Sequence, residues 1–195
     1  MKRRKRPLPS PEIQQLKKEL NRTNYNLEYN RVLRSTIYSL IIVAAVAVLI
    51  ASLCLPVLQI NGTAMAPTLA EGDIVVCLKT GNIQSGDIVA FYIGNKLLVK
   101  RCIALPDQLV TIDELGYVCV DGEQLIEPYV LEIAPGQCNI TFPYQVPSNR
   151  IFCLGDNRVT SIDSRNTAVG CISEEQLVGK VIFRVWPIPV FGPVY

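Results

Sequence analysis

The sequence predicts a mainly β domain that follows a single N-terminal transmembrane helix. Two observations predict this fold class. Residues 36–58, TIYSLIIVAAVAVLIASLCLPVL, carry no charged side chain, and about 20 apolar residues are enough to cross a bilayer as a helix. After residue 59 the chain consists of short segments rich in β-branched and aromatic residues, separated by Gly, Asn, Asp and Pro. That pattern is typical of strands joined by turns.

The first predicted element is a basic head, residues 1–34. Of the 19 Lys and Arg residues in the chain, ten lie in this head, against three of the 17 acidic residues. Such a charge fits nucleic acid or an anionic membrane surface, and the uncharged span that follows favours the bilayer over nucleic acid. Residues 10–34 begin with Ser-Pro-Glu and repeat Ile and Leu at helical spacing, so the head is predicted to be partly helical.

The second predicted element is the membrane span, residues 35–58. A cleavable signal peptide is the alternative, but its apolar core is only about 7–15 residues long. Basic residues precede the span, which favours a cytoplasmic N-terminus. The chain is therefore expected in the cell membrane as a single-pass protein, with residues 59–195 on the extracytoplasmic side.

The third predicted element is the β domain, residues 59–195. Hairpin turns are predicted at GNK, residues 94–96, and at DG, residues 121–122. No helix-length periodic segment interrupts the strands, so a barrel or coiled sheet is expected. Residues 132–149 contain three prolines and are predicted to leave the sheet. The predicted strands cover residues 73–78, 87–93, 97–105, 109–112, 117–120, 150–155 and 178–186.

Composition limits the chemistry that this domain can perform. The chain contains no His, which excludes His-based triads, His proton relays and most catalytic zinc sites. Acid–base catalysis would have to use Lys, Asp, Glu, Tyr or Cys, and no metal or other cofactor is expected. The seven cysteines form no CxxC pair. The six that follow the span could form disulfides, but we favour buried thiols within strands.

Three segments carry polar residues that strand packing does not explain. They are NGTAMAPTLAEGD at 61–73, LLVKRC at 97–102 and GDNRVTSIDSR at 155–165. Lys100 lies inside an apolar strand, where its side chain faces either water or the interior. In the interior, desolvation would lower its pKa and leave a neutral amine that can act as a general base.

These segments, in this order after a membrane anchor, resemble those of bacterial type I signal peptidases. GTAMAPTLAEGD is similar to the family's nucleophile box, in which a Ser precedes Met-x-Pro-Thr-Leu. VKRCIAL is similar to its general-base box, and GDNRVTSIDSR to its Gly-Asp-Asn box. The resemblance covers residues 59–186. It implies a coiled antiparallel β domain and a membrane-bound serine endopeptidase that removes signal peptides from exported preproteins by Ser/Lys acyl transfer.

The resemblance implies roles for three positions. Ala64 stands where the family has its nucleophilic Ser, Lys100 matches the general base, and Ser161 matches the hydroxyl that orients the Lys. The backbone N–H of residue 64 would belong to the oxyanion hole, and Gly62 cannot supply the side-chain donor that some members have. Asp156, Asp163 and Arg165 are the implied supporting residues. Ile60, Met65, Leu69, Leu98 and Val99 are the implied substrate-binding residues.

Two departures from the family pattern are present. Residues 104–108 are Ala-Leu-Pro-Asp-Gln where the family often has Gly-Leu-Pro-Gly-Asp. The second departure is Ala64, since a methyl group cannot attack a carbonyl, and Thr63 points elsewhere along an extended turn. Either Ala64 is a deliberate Ser-to-Ala change in an inactive mutant, or the chain is a natural non-catalytic binding or assembly factor. Retention of Lys100 and Ser161 favours the former, because a decayed relative should lose both.

A different class, the self-cleaving transcriptional repressors, shares Ser–Lys chemistry on a similar β domain. The membrane span, and a head without a compact DNA-reading domain, argue against it. Only five residues, 59–63, separate the predicted span from residue 64, and five residues extend over at most about 17 Å. The site is therefore expected close to the outer membrane surface. The expected partners are the bilayer and signal peptides, and the oligomeric state stays open.

Overall fold

The computed structural model of the chain describes residues 13–80 and 82–194. The chain divides into two compact units between residues 51 and 52. In the first unit the described residues form one long helix, and the second unit is built from antiparallel strands in two sheets. The predicted fold class, a mainly β domain after an apolar N-terminal helix, is confirmed.

The helix α1 runs without a break through Ile13–Cys54. It contains an 18-residue window of mean hydropathy 2.2, and it is the one helix of the described chain that is long and apolar enough to cross a membrane. The sequence predicted a helix to residue 58, but α1 ends at Cys54 and Val57–Gln59 form a strand. Pro56 accounts for the difference, because it lacks the N–H that the next helical turn requires.

The second unit contains twelve strands and two short 3₁₀ helices, Glu174–Gln176 and Ile188–Val190. In chain order the strands are β1 (Val57–Gln59), β2 (Ile74–Leu78), β3 (Ile88–Ile93), β4 (Lys96–Ala104), β5 (Leu109–Ile112), β6 (Val118–Val120), β7 (Glu123–Gln124), β8 (Tyr144–Gln145), β9 (Arg150–Leu154), β10 (Ile172–Ser173), β11 (Leu177–Trp186) and β12 (Gly192–Pro193). The large sheet has the order β1-β2-β11-β3-β4-β9-β10, with β12 paired to β11. The small sheet has the order β7-β6-β5-β8.

All seven predicted strands and both hairpin turns are confirmed. At the second turn Asp121 and Gly122 have φ values of +52° and +87°, as an Asp-Gly turn of type I′ requires. One prediction was wrong: residues 132–149 do not wholly leave the sheets, because Tyr144–Gln145 pair with Leu109 and Val110 as β8. Two residues between prolines are too few to show strand alternation in a sequence.

The core of the β domain consists of apolar side chains from both sheets in three clusters. The cluster beneath the candidate site combines residues of β2, β3 and β11 with Ile60, Met65 and Leu69. The six cysteines of this domain are free thiols, as the sequence predicted. Four of them are buried: Cys77, Cys102, Cys153 and Cys171.

Candidate active site

Lys100 lies in the middle of the large sheet, on a strand that has neighbours on both sides. Its strand β4 pairs with β3, where Val89 is opposite Lys100, and with β9. Lys100 is only 3% exposed. The sequence allowed its side chain to face either water or the interior, and in the structure it faces the interior. Burial lowers the pKa of Lys100 below its usual range, although the negative charge of Asp163 partly opposes this shift.

Residue 64 lies in the turn that connects β1 to β2. The turn is fixed by its own backbone, because Ala66 donates to the Thr63 carbonyl at 3.1 Å and Leu69 donates to the Met65 carbonyl at 2.9 Å. The Ala64 carbonyl accepts a hydrogen bond from the Asn157 N–H at 3.1 Å. That bond ties the turn directly to the polar loop at residues 155–165.

Ala64 and Lys100 line the same cleft, which runs between residues 59–65 and 97–100. Four of the five predicted substrate-binding residues, Ile60, Met65, Leu98 and Val99, also line it. Leu69 does not: it is fully buried and belongs to the core cluster beneath. Its position in the closed turn directs it toward the interior rather than the cleft.

The polar loop begins at Gly155, immediately after β9. It brings Ser161 close to Gly155, which also lies against the Ala64 carbonyl. A Cβ built on Gly155 would lie 2.2 Å from Ser161 Oγ and 2.6 Å from the Ala64 carbonyl oxygen. Gly155 therefore has no room for a side chain, because Ala64 and Ser161 both press against it. Within the described chain, Ser161 Oγ is buried without a hydrogen-bond partner. A buried hydroxyl without a partner is costly, which marks this position as one kept for a reason other than stability.

The Asp163–Arg165 pair holds this loop in place. The Arg165 Nε and Nη2 atoms each donate to an Asp163 carboxylate oxygen at 2.8 Å, and both side chains are almost fully buried. Asp163 also accepts from the Gly155 N–H at 3.0 Å. Arg165 donates onward to the carbonyl of Pro135 at 2.8 Å. The pair thus fixes both the start and the end of the loop that carries Ser161.

Asp156, the third predicted supporting residue, pairs with Arg101 on β4. The Arg101 guanidinium donates to both carboxylate oxygens, at 2.9 and 2.7 Å, and Thr68 of the β1–β2 turn donates to Asp156 as well. One carboxylate therefore joins strand β4, the turn that contains residue 64 and the polar loop. Strand alternation places Arg101 on the opposite face from Lys100, but its partner Asp156 is 55 positions away and was not predicted from the sequence.

Two further ion pairs brace the site and were not predicted from the sequence: Arg158–Glu127 and Arg184–Asp73. The Arg158 guanidinium donates to both carboxylate oxygens of Glu127 and to the Gly155 carbonyl at 3.1 Å. Arg184 on β11 donates to the Asp73 carboxylate at 2.8 Å and to the Thr68 carbonyl at 3.2 Å. Neither pair is local in the chain. The sequence offers a signal for Arg184 alone, because that Arg lies inside the apolar segment VIFRVW.

The chain is similar to several known proteins. A family model described as signal peptidase, peptidase S26, matches residues 33–186. Signal peptidase I of Bacillus caldolyticus is 35% identical over 150 residues, which cover 68% of this chain and 80% of that protein. Signal peptidase IB of Staphylococcus aureus strain COL is 37% identical over 153 residues, which cover 68% of this chain and 78% of that protein. A crystal structure of a signal peptidase I from Enterococcus faecalis V583 has 27% sequence identity and a TM-score of 0.45, and the match covers 52% of this chain and 98% of that chain.

The fold, together with the family match over most of the chain, defines the class of protein as a peptidase. The identities to the curated relatives narrow this class to one family. The chain belongs to the signal peptidase family, peptidase S26. The resemblance inferred from the three polar segments is thereby confirmed.

Proposed function

We propose that the chain is a membrane-bound signal peptidase I in which Ala64 has replaced the nucleophilic Ser. It binds the signal peptides of exported preproteins in the cleft between residues 59–65 and 97–100 and does not cut them. The observation that carries the proposal is that Ala64 and Lys100 line one cleft while the rest of the site is intact around them.

The proposed mechanism assigns a role to each position of the site. With a Ser at position 64, neutral Lys100 would take the proton from the hydroxyl, which would attack the scissile carbonyl to form an acyl-enzyme. The backbone N–H of residue 64 would stabilise the oxyanion of the tetrahedral intermediate. The Ser161 Oγ is buried without a partner in the described chain. It would form a hydrogen bond with the Lys100 amine, either as donor or as acceptor, and so orient it. Water would then release the acyl group.

Lys100 supports this mechanism better than it supports a structural role. A buried lysine is expensive unless it is paired, and burial has already lowered its pKa toward the neutral form. A natural non-catalytic binding or assembly factor would have no need for this amine. Ala64 is therefore the one observation that favours a non-catalytic factor.

The binding part of the proposal has a direct test. A synthetic signal peptide with a photoreactive group beside its cleavage site should cross-link to the full-length protein as an uncut peptide. Leu98→Trp should weaken the cross-link at least about tenfold, the loss of about 1.4 kcal/mol of binding free energy, because the indole would fill the cleft. Leu109→Trp is the matched control: Leu109 lies on β5 of the small sheet and is 37% exposed. Equal cross-linking by both variants would contradict binding in this cleft.

We further propose that residues 1–34 are cytoplasmic and residues 59–195 are extracytoplasmic, from the concentration of basic residues before the span. Protease added to intact spheroplasts should then degrade the β domain and spare an epitope at the N-terminus. Lysed spheroplasts provide the control in which both segments are cut. A β domain that survives in intact spheroplasts would reverse the assigned orientation.

A further inference from the structure

Two buried cysteines face each other across neighbouring strands beside the candidate active site. Cys102 on β4 and Cys153 on β9 are register partners, and both are 0% exposed. Neither side chain has a role in the proposed mechanism. Cys102 lies two positions after Lys100, and Cys153 lies two positions before Gly155.

The backbone hydrogen bonds define which kind of cross-strand pair this is. The Cys102 N–H donates to the Asp87 carbonyl, and the Cys102 carbonyl accepts from the Gly86 N–H. The Cys153 N–H donates to Ser164 Oγ at 2.9 Å, and its carbonyl accepts from the Ser164 N–H at 3.0 Å. Both residues therefore direct their backbone groups away from each other, which makes them a non-hydrogen-bonded pair.

This geometry suits a covalent bond between the sulfurs. In non-hydrogen-bonded pairs the Cα atoms are about 4.5 Å apart, and disulfides join Cα atoms that are about 4.4–6.8 Å apart. The structure shows both cysteines as free thiols, and we propose that an oxidant of the extracytoplasmic space converts this Cys102–Cys153 pair into a disulfide that joins β4 to β9 at the candidate active site. The inference rests on the proposed extracytoplasmic location of the β domain, because disulfides persist in oxidising compartments.

The oxidant would be an organic disulfide of the extracytoplasmic space, such as that of a thiol oxidoreductase. One cysteine thiolate attacks the oxidant disulfide and releases one oxidant thiol, which leaves a mixed disulfide. The second cysteine thiolate attacks the mixed disulfide, forms the Cys102–Cys153 bond and releases the second oxidant thiol. Two electrons and two protons pass from the cysteine pair to the oxidant.

The bond forms while the domain folds, before the sheet closes over the pair. Burial raises the pKa of the Cys153 thiol well above its usual value, and a hydrogen bond with the Cys102 thiol raises it further. The folded protein thus holds little of the thiolate that exchange requires. The same burial protects the finished disulfide from reductants. It closes a loop of about 50 residues, which removes conformational freedom from the unfolded chain.

Thiol counting on the full-length protein tests the inference. Cells are quenched with acid, the protein is denatured without reductant, and a maleimide adds a fixed mass to each free thiol. The chain has seven cysteines, so the inference requires five tags before reduction and seven after it. Removing a cysteine of the pair should raise the unreduced count: Cys102→Ala and Cys153→Ala should each show six tags. Cys77→Ala, at an equally buried site in a different core cluster, is the control and should show four.

Each other outcome overturns the inference. Seven tags on the unreduced protein mean that no disulfide forms. Five tags that become four in Cys102→Ala place the disulfide between other cysteines. Failure of this inference can be distinguished from failure of the proposed location. Protease digestion of intact spheroplasts reports whether the β domain is extracytoplasmic, and it does so independently of the thiol count.

Discussion

Replacing Ala64 with Ser is expected to give the chain the activity of a peptidase that cuts a signal peptide after a small residue. The change adds one hydroxyl at a position that lines the same cleft as Lys100 and leaves the turn around it unaltered. Loss of a nucleophile typically removes several orders of magnitude in kcat, so restoration should raise the rate of cleavage by a similar factor. Mass spectrometry of the peptide products measures both the rate and the bond that is cut.

The pH dependence of the Ala64→Ser variant tests the role of Lys100. Burial lowers the pKa of this amine, and only the neutral form can accept the proton from the serine hydroxyl. The rate should therefore rise with pH through the folded-state pKa, which lies below the usual 10.5, and level off above it. Lys100→Met in the same background keeps the length of the side chain without the amine and should return the rate to that of the Ala64 chain. A folded Ala64→Ser protein that cuts nothing at any pH would leave the binding-factor alternative in place.

Breaking the Asp163–Arg165 pair is expected to cause the largest loss of stability of any single polar substitution in the site. Asp163→Ala would leave the Arg165 guanidinium, which is 1% exposed, without its carboxylate. Removing one partner of a buried ion pair costs about 3–5 kcal/mol, a large part of the roughly 5–15 kcal/mol by which domains are stable. The Gly155 N–H would lose its acceptor as well. Urea unfolding of the full-length protein in detergent measures the change in the free energy of unfolding.

The matched control is an ion pair of the same domain that is close to solvent. Lys180 and Asp87 approach to 2.6 Å, but the Lys180 side chain is 33% exposed. Lys180→Ala should therefore cost less than about 1 kcal/mol, as exposed pairs do. Equal losses from Asp163→Ala and Lys180→Ala would show that the loop does not depend on its buried pair.

Sequence patterns predicted the strands that carry the site because those strands are long enough to show their character. β4 and β11 contain nine and ten residues, and most of these residues are apolar. Strands of two residues, such as β8 and β12, were not predicted because they contain no full period of alternation. The end of α1 was misplaced by four residues, since composition continues to be apolar after Pro56 although the backbone can no longer be helical.

The candidate site was predictable to the extent that its residues are adjacent in the sequence. Asp163 and Arg165 are two positions apart, and their pairing follows from proximity alone. The bond between Arg101 and Asp156 depends on the register of β4 against β9, which no local pattern specifies. Leu69 was predicted to bind substrate because it belongs to the family motif. Its side chain does not line the cleft, because the turn that contains it closes and directs it into the core.

The place of β11 in the large sheet has a consequence for how the domain assembles. This strand lies between β2 and β3 and pairs with both, yet it is synthesised long after either of them. Until Leu177–Trp186 arrive, β2 and β3 present unpaired edges, and open edges invite pairing with other chains. Pairing between segments about 100 residues apart is also slow, because a long loop must close first. The nascent chain therefore has to remain protected from aggregation until β11 has been made and has paired with both strands.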